Sequence, residues 1–242
     1  TIIIMLFSLG LLALIFLSAL DESLFSGLTI FFAILCYVAL EYMVRTKNHY
    51  CSGVDDGLLW GASVALFCAI SLPYDLSGLT NCLIIFMISL GATLRYADKL
   101  MAAVAYFSLA GIFFYACVES GSIAKAIAPF IIMAVSLAIY LAVTRLTIKK
   151  NNPCFTGCLK MIEISALISL YAAGNYYAVR ELSNSMFNLN LLPGDSIPFG
   201  WMFWVFTILI PVIYLARGIQ KKDAVLMRVG LILCAAIVFT VR

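Results

Sequence analysis

The sequence consists almost entirely of nine apolar blocks joined by short polar loops. The blocks span about residues 2–20, 24–44, 57–72, 79–95, 100–118, 123–145, 155–179, 198–216 and 224–241. Hydrophobic residues make up 64% of the chain and charged residues 11%, whereas soluble domains average roughly 45–50% and 25%. In lipid, a helix satisfies its backbone hydrogen bonds within one segment. The sequence therefore predicts an all-α, polytopic transmembrane helix bundle with about nine spanning helices.

The length of the chain leaves almost no room for a soluble domain. A spanning helix needs about 20 apolar residues, and nine such helices with their loops account for nearly all 242 residues. We predict a single integral membrane helical domain over residues 1–242. The chain starts at Thr1, already within apolar sequence, so we expect a native stretch before it.

Lys and Arg are concentrated in every second loop, and this pattern predicts the orientation. The loops after the even-numbered blocks hold Arg45, Lys47, Arg95, Lys99, Arg145, Lys149, Lys150, Arg217, Lys221 and Lys222, and the others hold only Lys125 and Arg180. Positively charged loops stay in the cytoplasm during insertion. The loops near residues 45–56, 95–99, 145–154 and 217–223 are therefore predicted to be cytoplasmic, in a bacterial inner membrane. Arg242 then lies outside, and we expect a tenth helix after it.

The seventh block is the one with several polar side chains away from its ends. Lys160, Glu163, Tyr171 and Asn175 lie within a broad common face of a helix. Ionisable groups in lipid usually turn inward and mark a pathway or a pair. We predict that Glu163 binds a proton or cation and that Tyr171 and Asn175 donate or accept hydrogen bonds along the same pathway. Alternatively, Lys160 extends to the membrane surface and pairs with Glu163.

Glu41, at the inner end of the second block, is a further candidate. It lies toward the predicted cytoplasmic side, as Glu163 does, so we expect the two carboxylates to share a cavity. An ion pair at the membrane surface is the alternative interpretation of Glu41, because single charges near helix ends usually have that role.

The sequence favours neither a metal site nor an enzyme. Cys154 and Cys158 lack a second cysteine pair, and His49 is the single histidine, so the four ligands of a typical zinc site are missing. We predict no metal, no cofactor and, without basic residues interleaved with aromatics, no nucleic-acid partner. Tyr74-Asp75 and Pro193-Gly194-Asp195 resemble motifs of intramembrane aspartyl proteases. Ordinary turn chemistry explains both fragments, and we predict no catalytic residues.

Several local features predict where helices begin and where they meet the membrane surface. Asp55 or Asp56 is predicted to cap the third helix, and Ser196 with Pro198 to begin the eighth. The connection over residues 181–197 is predicted to lie as an amphipathic segment on the membrane surface or to fold over the bundle as a lid. The aromatic residues expected near the outer interface are Tyr74, Tyr176, Tyr177, Trp201 and Trp204.

Two short segments resemble uncharacterised polytopic inner-membrane proteins of Bacteroidota-like bacteria. They are Ser-Gly-Val-Asp-Asp-Gly-Leu-Leu-Trp at 52–60, after a basic loop, and Phe-Thr-Val-Arg at 239–242, after a Lys-Lys-Asp loop. The resemblance implies no known activity. From the residues, the leading function hypothesis is a small-solute or ion transporter-like protein. The alternative is a non-catalytic structural or assembly subunit with membrane-protein partners. The lipid bilayer is a partner in both.

Overall fold

A computed structural model describes residues 10, 22–47, 53–149, 153–187 and 200–240, and all regular structure in these residues is helical. In chain order the helices are α1 (Glu22–Lys47), α2 (Val54–Ser71), α3 (Gly78–Tyr96), α4 (Lys99–Glu119), α5 (Ser122–Lys149), α6 (Pro153–Gly174), α7 (Tyr176–Phe187), α8 (Gly200–Lys221) and α9 (Ala224–Thr240). The predicted all-α class is confirmed. The first predicted block lies outside the described residues, apart from Gly10, which is helical.

The helices are apolar around most of their circumference, as is typical of membrane spans. Seven of them, α1 to α6 and α8, are long and apolar enough to cross a membrane, and α9 is apolar but shorter. Their outer faces carry large exposed side chains such as Phe31, Met87 and Ile232, which only hydrocarbon covers favourably. The protein is therefore a multi-pass integral membrane protein in contact with the lipid bilayer.

Two predicted helix boundaries are wrong. The seventh block is not one helix over 155–179, because the chain breaks at Asn175 between α6 and α7. The third helix begins at Val54, after Gly53 in a left-handed conformation with φ of 79°. Asp55 and Asp56 consequently lie inside its first turn rather than ahead of it. There the carboxylates still face the positive end of the helix dipole.

The chain divides into two compact units, which we call the N-terminal unit (residues 1–105) and the C-terminal unit (residues 106–242). In the N-terminal unit, α1 and α3 both pack against α2. In the C-terminal unit, α6 is the central helix and contacts α5, α7, α8 and α9. The core of the C-terminal unit is built around Leu167, Tyr171, Ile210 and Tyr214. The single domain predicted over residues 1–242 stays a prediction.

Helix α7 is short and more polar than its neighbours, and it begins beside a group of aromatic rings. The Tyr176 ring stacks on Trp204 at 5.4 Å between centroids, and Tyr177 meets Trp204 edge-on at 5.5 Å. Trp201 is 71% exposed. Such aromatic groups are typical of the membrane–water interface. The helix covers the first part of the predicted amphipathic segment, and Ser196 and Pro198 lie outside the described residues.

Candidate functional site

Glu163 lies on the inner face of α6, in the C-terminal unit. The residue is only 8% exposed, because its helix is surrounded by α5, α7, α8 and α9. Throughout the described part of the chain, no Lys or Arg nitrogen lies within 4.0 Å of the Glu163 carboxylate. The side chain therefore faces the interior of its unit without a cation paired to it.

The polar surroundings of Glu163 come from α6 itself, from α5 and from the turn between α8 and α9. Asp223, between α8 and α9, is the charged group that acts most strongly on Glu163, followed by Lys160. The Tyr140 hydroxyl of α5 also interacts electrostatically with Glu163. Asp223 is held in place because its carboxylate accepts a hydrogen bond of 2.9 Å from the Val225 N–H. The negative charge of a second carboxylate thus acts on Glu163.

Lys160 does not share the buried face on which the sequence placed it. Its side chain is exposed, whereas Glu163, Tyr171 and Asn175 are all buried. Three of the four residues are therefore buried, and their common pathway stays a prediction. The Lys160 nitrogen does not lie within 4.0 Å of a Glu163 carboxylate oxygen, so the ion pair predicted as the alternative is not formed.

Tyr171 and Asn175 form a hydrogen-bonded pair at the end of α6. The Asn175 amide donates to the Tyr171 hydroxyl at 2.9 Å. Its amide oxygen accepts from the backbone N–H groups of Tyr177 at 2.9 Å and Ala178 at 3.3 Å. Asn175 thereby caps α7, and because an Asn side chain competes with the helix for backbone hydrogen bonds, it favours a break at this position.

Contacts with α8 hold the break between α6 and α7 in place. The Tyr176 N–H donates to the Thr207 hydroxyl oxygen at 3.0 Å, and that hydroxyl donates to the Phe203 carbonyl at 2.7 Å. Gly174 allows the close approach, because a Cβ atom at this position would lie 2.7 Å from the Ile210 side chain. One backbone donor at the break, the Tyr176 N–H, therefore finds its partner on a neighbouring helix.

A cavity of about 300 Å³ lies against the break, between α4, α5, α6 and α7. Its lining is mostly apolar, with Phe114, Pro129 and Val179, and Ser169 supplies a hydroxyl. The volume is at the lower end of the range for small-molecule sites. Twelve residues separate Glu163 from Asn175, so the two lie about 18 Å apart along the helix axis. They are separate polar positions within one unit.

Glu41 belongs to the N-terminal unit, where the structure gives it several partners. Its carboxylate lies 2.8 Å from Arg45 Nε and 3.2 Å from Arg95 Nη2. The Tyr96 hydroxyl donates to it at 2.8 Å. This arrangement matches the alternative interpretation, an ion pair near the end of the helix.

Sequence reasoning missed the partners of both carboxylates. Arg95 and Tyr96 are 54 and 55 residues away from Glu41, and no local spacing connects them. Tyr140 is one of several polar residues in its apolar block, and no local spacing connects it to Glu163.

The cysteine pair and the Asp-containing fragments singled out in the sequence form no common site in the described residues. Cys154 is exposed and Cys158 is buried, and within the described ranges no three His, Cys, Asp or Glu residues are placed to hold a metal ion. Tyr74 and Asp75 lie in an exposed turn between α2 and α3. His49 and Asp195 lie outside the described residues.

No family model, curated protein or solved structure matches the chain. A functional assignment therefore depends on the residues themselves.

Proposed function

We propose that the protein is a small-solute or ion transporter-like protein in which Glu163 takes up and releases a proton or a cation. The observation that carries the proposal is the burial of Glu163 inside the C-terminal unit, where no cation of the described residues lies at ion-pair distance and the negative charge of Asp223 acts on it. In this proposal the membrane is a bacterial inner membrane and the basic loops are cytoplasmic.

Electrostatics supports this role for Glu163. An ionised carboxylate that loses its water without gaining a partner is strongly destabilised. Asp223 increases that effect, because like charges repel. Glu163 therefore binds a proton or a metal cation when the helices around it exclude water. It releases the proton or cation when water reaches the site. Ionisable residues within membrane spans commonly have this function in pumps and transporters.

The second polar position lies at the break between α6 and α7. Discontinuous helices in transporters present the ends of half-helices to substrates and ions. Here the break adjoins the cavity of about 300 Å³, which we propose as the solute position. Ser169 supplies a hydroxyl that lines the cavity, and the hydrogen-bonded Asn175 at the break lies about 18 Å along the helix axis from the proton or cation site.

Reconstitution into liposomes tests the proposal. The vesicles are loaded with a defined mixture of small organic solutes, a pH gradient or a sodium gradient is imposed, and released solutes are measured by mass spectrometry. We expect at least one solute to move in a gradient-dependent manner with the natural protein. Glu163→Gln should reduce this movement at least tenfold, because the amide neither binds a proton nor attracts a cation.

The matched control is Glu119→Gln, which alters an exposed glutamate at the end of α4 and should leave transport unchanged. Unchanged gradient-dependent movement with Glu163→Gln would refute the mechanism. Absence of movement of every solute, together with stable co-purification of a larger membrane protein, would favour the structural or assembly subunit instead.

A further inference from the structure

The cavity beside the break between α6 and α7 contains a buried hydroxyl without a partner. Ser169 lines the cavity and is only 9% exposed, yet it makes no hydrogen bond to any described residue, unlike Ser89 and Thr93 of α3, which donate to carbonyls of their own helix. Fully enclosed side-chain oxygens in the described residues all have partners, so the Ser169 oxygen is accessible from the cavity. A buried hydroxyl without a partner is unfavourable, which indicates a ligand with a complementary polar atom.

The backbone donors at the start of α7 already have partners within the protein. The Tyr176 N–H donates to Thr207, and the N–H groups of Tyr177 and Ala178 donate to Asn175. A helix N-terminus binds anions through N–H groups that lack such partners. No charged side chain is among the described lining residues, and burial of a charge without a partner is strongly unfavourable. The cavity therefore suits an uncharged molecule.

Apart from Ser169, the described lining is hydrocarbon, with Phe114 of α4, Ile132 of α5, Ala173 of α6 and Val179 of α7 among its residues. A buried water needs about two to four polar partners, so water does not fill such a space favourably. An apolar cavity of about 150 Å³ holds one benzene molecule. By the same ratio, the cavity of about 300 Å³ accommodates roughly ten to twelve heavy atoms.

The α7 side of the cavity is open to the surroundings. Ala178 and Leu182 line it and are both exposed, and α7 begins where Tyr176 stacks on Trp204. Such aromatic groups are typical of the membrane–water interface. Aromatic molecules with one polar group favour the same interface, because one end of the molecule is apolar and the other is hydrated. Molecules of this kind therefore reach the opening.

We propose that the cavity binds an uncharged aromatic molecule of roughly ten to twelve heavy atoms, with one hydroxyl, carbonyl or N–H group hydrogen-bonded to Ser169. The inference rests on the proposed function, because it names the class of solute for the position assigned there. A lipid acyl chain also fits a hydrocarbon lining, but it leaves the Ser169 hydroxyl without a partner. The polar group of the ligand is what distinguishes the two occupants.

Displacement of radiolabelled β-naphthol from the purified protein tests the class of ligand. The protein is held on scintillation beads in detergent, and specific binding is the part that excess unlabelled β-naphthol displaces. Naphthalene lacks the hydroxyl, and β-naphthoate carries an ionised carboxylate instead. We expect each to displace β-naphthol at least tenfold more weakly than β-naphthol itself, because the first leaves Ser169 unpaired and the second buries a charge.

Two results of the displacement experiment would overturn the proposal. The first is the absence of saturable β-naphthol binding. The second is equal displacement by naphthalene and β-naphthol, because the cavity would then accept any hydrocarbon, including a lipid chain. Displacement by β-naphthoate as strong as by β-naphthol would contradict the uncharged class in the same way.

Ser169→Ala tests the hydrogen bond. We expect β-naphthol binding to weaken at least fivefold and naphthalene binding to stay unchanged, so that the preference between them disappears. A substitution that merely loosened α6 would weaken both ligands alike. Ser165→Ala is the matched control, because Ser165 lies about one turn earlier on α6 and is also buried, but is not among the described lining residues. If Ser169→Ala keeps the preference for β-naphthol, the proposed hydrogen bond is wrong.

A cavity-filling substitution tests the position of the ring. Ala173→Leu should weaken binding of β-naphthol and naphthalene at least fivefold, because the larger side chain occupies the space. Ala116→Leu is the matched control at a partly buried position of α4 that is not among the described lining residues. Thermal unfolding in detergent confirms that each variant is folded, and Ala173→Val repeats the test if Ala173→Leu is not. Unchanged binding in the folded Ala173 variant would refute the position.

Binding and transport fail in distinguishable ways. Glu163→Gln should leave β-naphthol binding unchanged, because Glu163 is not among the described lining residues and lies about 9 Å from Ser169 along the helix axis. If β-naphthol binds as expected but no solute moves in a manner that depends on Glu163, the ligand class stands and the transport proposal fails. If other solutes move in that manner and β-naphthol does not bind, the transport proposal stands and the ligand class is wrong.

Discussion

Glu41 and Glu163 are the same residue type in two different environments. Glu41, in the N-terminal unit, contacts Arg45, Arg95 and the Tyr96 hydroxyl. Glu163, in the C-terminal unit, is buried beside a second acid and has no cation at ion-pair distance among the described residues. The comparison shows that an acidic residue in an apolar block does not have one fixed role. Its neighbours in space decide whether it stabilises the fold or remains available for an ion.

The two environments also differ in what they contribute to stability. Arg45 and Arg95 are 74% and 50% exposed in their side chains, and exposed ion pairs contribute about 0–1 kcal/mol each. Buried polar groups such as Asn175 are different, because leaving a partner unsatisfied in the interior costs about 1–3 kcal/mol per group. The N-terminal ion pairs are therefore replaceable, whereas the buried network of the C-terminal unit is not.

Chemical labelling tests most directly whether the surroundings of Glu41 and Glu163 differ. The reagent is a hydrophobic carbodiimide, which modifies protonated carboxyl groups in apolar surroundings. We expect Glu163 to be modified at least tenfold more than Glu41, because Glu41 is paired with Arg45 and Arg95 whereas Glu163 is buried without a described cation at ion-pair distance. Peptide mass spectrometry of the membrane-embedded protein measures both sites in one sample. Equal labelling of the two residues would show that burial and pairing do not distinguish them.

Removal of the buried cap should have the largest effect on stability. Asn175→Ala deletes the acceptor for the start of α7 and the donor to Tyr171, and we expect the free energy of unfolding to fall by about 2 kcal/mol. Asn175→Asp keeps the acceptor and should lose about half as much. Denaturation in mixed micelles measures both variants. If Asn175→Ala lowers the free energy of unfolding by less than Glu41→Gln does, the buried cap does not contribute more to stability than the exposed ion pairs.

The smallest effect is expected in the N-terminal ion pairs. Glu41→Gln should lower the free energy of unfolding by about 0.5 kcal/mol at low salt, and by less at high salt, because the pairs are exposed and screened. The amide oxygen still accepts a hydrogen bond from the Tyr96 hydroxyl, which limits the loss. Unfolding measured at two NaCl concentrations tests this. A loss that is large and independent of salt would mean that the pair is effectively buried.

The helical architecture follows from the sequence because each span is a continuous apolar run. Glu41 and Glu163 were found for the same reason, since an ionisable residue stands out in such a run. The helix break at Asn175 was missed because the surrounding residues stay apolar on both sides. Gly174 followed by Asn175 was a local signal for it, as these residues often end helices.

The partners of the two carboxylates were beyond prediction from the sequence. Arg95 was counted as a residue that sets topology, and its contact with Glu41 depends on how α1 and α3 pack against α2. Asp55 and Asp56 were interpreted as caps because acidic residues are common both before a helix and within its first turn. Gly53, with its left-handed backbone, determines which of the two positions they occupy.

The hydrogen bond between the Tyr176 N–H and Thr207 has a mechanical consequence. A tilt of α8 either carries the first turn of α7 with it or breaks this hydrogen bond. Movement of one long helix is thus transmitted to a short amphipathic one through a single threonine hydroxyl.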